Sequence, residues 1–126
     1  DVATAHLLAL QNARAIGFGR YVISATTPFS QNDLQELHTN APAVVERHAP
    51  SYPDVYARRG WTMFPAIDRV YVNERARREL GWQPRVDFAY VLNCVGTGDD
   101  FRSPLAQAVG SKGYHDVVFE DGPYPT

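Results

Sequence analysis

Eleven of the twelve basic side chains in this 126-residue chain are arginines, and Lys112 is the lone lysine. A guanidinium is planar, permanently charged and offers two parallel donors, a shape suited to phosphate groups. The net charge of −2 supplies no basic field for nucleic acid or an anionic membrane surface, so neither is an expected partner. Other chemistry-bearing residues are sparse. His38 and His48 lie ten residues apart, not the four that would put two metal ligands on one helix face. Cys94 stands alone, which excludes an intrachain disulfide and a cysteine-rich metal site. Asp99-Asp100 sits in a Gly-rich turn without the alternating ligands of a calcium loop. No G-x-S-x-G elbow occurs, so no strained serine nucleophile is expected. No G-x-G-x-x-G or G-x-x-G-x-x-G occurs either, and Gly17-Phe18-Gly19 is too short to cradle a pyrophosphate. Ala108 precedes Lys112 by four, so the chain has no Tyr-x-x-x-Lys. Tyr114-His115 belongs to the densest polar cluster of the tail, read as docking the terminus or an oligomer contact.

The elements that would position such groups centre on residues 68–84, DRVYVNERARRELGWQP. Its letters give a short strand over residues 69–72, an N-cap at Asn73 and two turns of charged helix. Glu74 suits the helix N-terminus, Glu74/Arg78 and Arg75/Glu79 are spaced to pair on the solvent face, and Ala76 and Leu80 form the inner face. Gly81 ends the helix, Trp82 can fold back on it, and Pro84 prevents its resumption.

Before that stretch, residues 1–16 read as a helix with Ala5, Leu8, Ala9 and Ile16 on one stripe, widened by Leu7 and Leu10. His6 on this helix reads as packing or a helix-surface hydrogen bond. The apolar run Tyr21-Val22-Ile23 predicts a strand over residues 20–25, buried on both faces. Ser30 caps a helix from Gln31 to about His38, and Pro42 opens another that Pro50 stops. Residues 54–59 form a further turn. Asp87 caps a helix with Phe88, Val91, Leu92 and Val95 on one face; Ser103 and Pro104 start a short one over residues 105–109; residues 117–119 read as a last strand. Composition, at 44% hydrophobic and 21% charged residues, is that of an ordinary soluble globule with one domain. With neither a signal peptide nor a long apolar span, a cytoplasmic location is the default expectation. The chain opens at Asp1 without Met, inside a helical pattern, as expected for the tail of a longer polypeptide.

Two patches carry a family resemblance. DVATAHLLAL is similar to a "DVAxAHxxAL" helix, and RARRELGWQP resembles the "KARRELGWxP" signature near the C-terminus of the extended short-chain dehydrogenases/reductases. That family includes NAD-dependent sugar-nucleotide epimerases and dehydratases, such as UDP-glucose 4-epimerase. Residues 20–38 match its "YNIGSGxxxSxxEL" segment in layout, with Ala25, Thr26 and Thr27 in place of the loop glycines.

The resemblance implies an α/β fold: the C-terminal substrate-binding portion of such an enzyme, mostly helices with a few short strands, lacking the N-terminal Rossmann core. Residues 1–126 would then form one unit that recognises a nucleotide sugar. NAD and the Tyr-x-x-x-Lys pair would belong to the upstream part of the parent enzyme, with no cofactor and no catalytic residue in this chain. By position, Arg58 or Arg59 resembles the family arginine that engages the diphosphate, and Arg69 falls near a second substrate-facing position. Arg75, Arg77 and Arg78 read as an exposed helix face. The expected partners are the missing N-terminal Rossmann portion and a second copy, giving a homodimer. Two alternatives stay open: a free-standing, non-enzymatic α/β binding or oligomerisation module, and a family member acting on a steroid, flavonoid or other small alcohol.

Overall fold

A computed structural model describes residues 1–110 of the chain. In order these form α1 (Val2–Ile16), one 3₁₀ turn (Gln31–Asp33), α2 (Leu34–His48), α3 (Tyr52–Arg59), α4 (Glu74–Leu80), α5 (Phe88–Thr97) and α6 (Pro104–Val109). The stripe of α1 meets the inner face of α4: Ala5, Ala76, Leu80 and Trp82 form one buried cluster, with Leu8, Ala9 and Ile16 packed around it. Small residues on both helices let the backbones approach, and Trp82 fills the space left at their ends. Its indole N–H donates to the Asp1 carbonyl at 3.1 Å. The Asp1 carboxylate in turn accepts the backbone N–H groups of Arg85 and Val86 at 3.0 and 2.9 Å. Residues about eighty positions apart are thereby tied into one unit.

The expected α/β fold is corrected here: the described residues are helical, without a strand. A strand needs a neighbour's backbone to complete its hydrogen bonds. Among the described residues, no backbone–backbone hydrogen bond involves residues 20–25 or 69–72, the two stretches read as strands. Their apolar letters serve helix packing instead. Tyr21 and Ile23 lie on the α1/α4 cluster, and Val70 packs against α2. Val22, Tyr71 and Val72 face outward. The third expected strand, residues 117–119, lies outside the described residues.

α2 carries the break that Pro42 foretells. Asn40 has φ −153° and ψ 61°, two residues before Pro42. Pro42 has no N–H and its ring crowds the preceding turn. The groups freed at the kink bind the chain ahead of α4: Ala41 N–H donates to Pro65 O at 3.0 Å, and Ile67 N–H to Leu37 O at 2.8 Å. A second core joins α2, α3 and α5 through Val45, Tyr52, Val55 and Leu92. Phe29 and Ile67 belong to its margin and to that of the adjoining cluster of Leu37, Ala41 and Val44. α5 starts as expected, with the Asp87 carboxylate accepting Tyr90 N–H at 2.8 Å. Gly81, with φ 67°, ends α4 in the left-handed region that a side chain would strain.

Candidate functional site

Three adjoining hollows run along one side of the α2/α3/α5 core. At one end a hollow of about 260 Å³ is lined by Arg69, Tyr71, Phe88 and residues 24–29. It shares Thr26, Pro28, Phe29 and Phe88 with a narrow waist of about 80 Å³. The waist in turn shares His48, Ala49 and Ala89 with a cleft of about 490 Å³ between α3 and α5. Arg58, Ser51 and Asn93, with His48 and Thr97, give that cleft its polar groups. Together the hollows form a groove with an arginine at each end.

The three sequence-selected arginines fare differently. Arg58, in the last turn of α3, lies over α5 where Gly96 leaves room: a Cβ on Gly96 would stand 3.8 Å from its Nη2. Arg59 points elsewhere and donates through Nη2 to the Val95 carbonyl at 3.0 Å, so its guanidinium is partly spent on α5. Arg69 lines the opposite end hollow. Neither Arg58 nor Arg69 has a hydrogen-bond or ion-pair partner among the described residues. The structure therefore brings Arg58 and Arg69 to one groove and leaves Arg59 outside its lining.

Local folding explains why the groove stays open. Asn73, only 3% exposed, does not cap α4 through its side chain. Its amide instead donates to the Ser24 carbonyl at 2.9 Å and to Thr26 Oγ1 at 3.0 Å, holding the loop that walls the Arg69 end. Nearby, Tyr21 donates to Glu79 at 3.0 Å, and Arg75 closes the same carboxylate. Burial would raise the Glu79 pKa, but bonds from Arg75, Tyr21 and Arg78 outweigh it and hold the carboxyl below its ordinary value. On the other wall, His48 sits edge-on to Phe29, with ring centroids 5.3 Å apart. Its Nε2 lies 3.3 Å from Asp33. The Asp33 carboxylate accepts the Ser30 N–H and hydroxyl, each at 2.8 Å, and these bonds lower its pKa.

The remaining sequence candidates are engaged locally. His6 Nδ1 lies 2.9 Å from the Val2 carbonyl, on the helix surface as expected. His38 pairs with Asp68 at 2.8 Å. Asp99 accepts the Thr97 hydroxyl at 2.7 Å. Arg102 grips Asp100 with two nitrogens and draws its carboxyl down to about 2. Arg75 and Arg78 form the expected i, i+4 pairs with Glu79 and Glu74, at 3.0 and 4.0 Å. Among the described residues, no three His, Cys, Asp or Glu side chains converge to hold a metal. The Tyr114-His115 cluster lies outside the described residues. Sequence reasoning missed His48, Asn93 and Phe88 as groove residues. Phe88 reads as part of the inner face of α5 but is 36% exposed over the waist.

Comparison with protein-family models, with curated proteins and with solved structures gives no match.

Proposed function

We propose that this chain is the nucleotide-sugar-binding part of an NAD-dependent sugar-nucleotide epimerase or dehydratase of the extended short-chain dehydrogenase/reductase type. What carries the reading is the groove with Arg58 and Arg69 unengaged at its two ends. An arginine without a carboxylate partner can give both prongs to an anionic oxygen pair. Arg58, in the larger cleft, takes the diphosphate, with the sugar beyond it beside Ser51 and Asn93. Arg69 closes the nucleoside end. The packing of α1 on α4 adds support, because the two patches that carry the family resemblance meet there.

In this reading the parent enzyme holds NAD on an upstream Gly-rich turn and alters the sugar by transient hydride transfer. This chain binds no NAD and turns nothing over alone. The outer face of α1, where Leu7 and Leu10 are 60% and 74% exposed, receives the N-terminal portion of the parent. In the isolated chain a second copy covers it, giving a homodimer. No helix among the described residues is long and apolar enough to cross a membrane, and a cytoplasmic location fits a nucleotide-sugar enzyme.

Calorimetric titration with UDP-glucose and with NAD tests this. The expected result is binding of the nucleotide sugar, weakened about tenfold by Arg58→Ala, the loss of one charge-assisted contact, and no heat with NAD. Tight NAD binding, or nucleotide-sugar binding indifferent to both Arg58→Ala and Arg69→Ala, would refute it.

A further inference from the structure

Neither arginine accounts for the waist of the groove. We infer that it is a base-binding subsite, taking the planar heteroaromatic ring of the nucleotide between Phe29 and Phe88; this rests on the nucleotide-sugar reading above. Both rings line the waist and the hollow beside it. They are held in different ways. Phe29 is fixed from behind by its contact with His48 and by the apolar clusters of α2. Phe88 belongs to none of the three buried clusters and stands 36% exposed at the first position of α5. An aromatic ring set by a helix cap, facing a hollow rather than a core, is a ready stacking surface for any base.

The charges around the waist select against the other parts of the ligand. Asp87 lines it, and Asp33 stands 3.3 Å from the His48 Nε2. A phosphate there would face the Asp87 carboxylate, whereas the cleft beyond offers Arg58. A sugar would exchange water for walls made largely by Pro28, Val45 and Ala89 without enough polar partners for its hydroxyls. A flat base has apolar faces for those walls and polar atoms only at its rim. One rim partner is already oriented. Thr26 Oγ1 accepts from the buried Asn73 amide at 3.0 Å, so its own O–H is directed away from that bond. No acceptor for that proton exists among the described residues, and a base carbonyl or ring nitrogen at the waist can take it.

The test is calorimetry on the full chain with three probes: UDP, ADP and inorganic pyrophosphate. Phe88→Ala is expected to weaken whichever nucleoside diphosphate binds tighter by about 5- to 150-fold, the range for losing one stacked base. Pyrophosphate binding should stay within twofold, and Phe88→Tyr should restore nucleotide affinity. Should Phe88→Ala fail to fold, Phe88→Leu keeps apolar bulk while removing the ring and gives the same comparison. Nucleotide affinity unmoved by removing the ring, or pyrophosphate weakened equally, overturns the base subsite. If Arg58→Ala abolishes nucleotide binding while Phe88→Ala does nothing, only the subsite falls. If the wild-type chain binds neither nucleotide nor pyrophosphate, the nucleotide-sugar reading falls with it.

Discussion

Asn73 is worth more to this molecule as a donor than as a cap. Its buried amide bonds both the Ser24 carbonyl and the Thr26 hydroxyl, tying the groove wall to the start of α4. Asn73→Asp keeps an oxygen able to cap a helix but loses both N–H donors and buries a carboxylate against a carbonyl. We expect it to lower the unfolding free energy in urea by about 1–3 kcal/mol, at least as much as Asn73→Ala. A residue acting only as a cap would accept aspartate without loss. The neighbouring arginines divide on the same logic. Arg59 already donates to Val95, so Arg59→Ala should leave nucleotide-sugar affinity within twofold in the titration that Arg58→Ala disrupts.

At the scale of elements, the entry to α2 is pH-sensitive through Asp33. Bonds from the Ser30 N–H and hydroxyl lower its pKa in the folded chain, with His48 adding to the effect. A carboxyl held below its ordinary value lends stability that is complete above the unfolded value. That stability is lost as pH falls through the folded one. The urea midpoint should therefore fall between pH 5 and pH 3, and Asp33→Asn should flatten that fall; an unchanged slope would show that Asp33 does not set it. The Arg102-bound Asp100, held at about 2, contributes through the lower part of the same range and is unaffected by that substitution.

The helices were legible because their signals are local. Asp87 capping α5, Ser103 capping α6, Gly81 ending α4 and the break of α2 before Pro42 each depend on residues within a turn or two. The strands were misread for a related reason. A run such as Tyr21-Val22-Ile23 looks alike whether it pairs with a strand or lies across two helices, and the choice depends on Leu80 and Trp82 far along the chain. The groove was half legible. Family resemblance pointed to Arg58 or Arg59 and to Arg69, of which Arg58 and Arg69 line the groove, but no local pattern announces that Phe29, His48 and Phe88, on three separate segments, share one hollow.

At the scale of the whole chain, α1 is a helix with two apolar faces and only one of them covered. Ala5 is buried against α4, while Leu7 and Leu10, expected from the sequence to widen that stripe, lie open on the far side. Large apolar side chains left open on a second face mark a contact surface. Sedimentation equilibrium should show concentration-dependent association that Leu7→Lys with Leu10→Lys abolishes, leaving the thermal midpoint nearly unchanged. A chain that stays monomeric at all concentrations would remove the second copy from that face. The covered face behaves oppositely: Trp82→Ala removes the buried ring joining α1 to α4 and should cost about 3–5 kcal/mol in the same melts.

The groove itself is tested most directly by amide chemical-shift mapping on the isotope-labelled chain during titration with UDP-glucose. The largest shifts are predicted at residues 24–29, at Arg58 and Arg69, and along the Phe88–Thr97 helix, with Leu7 and Leu10 silent. Saturable shifts confined to α1, or none anywhere, would contradict the assignment of this groove as the ligand site.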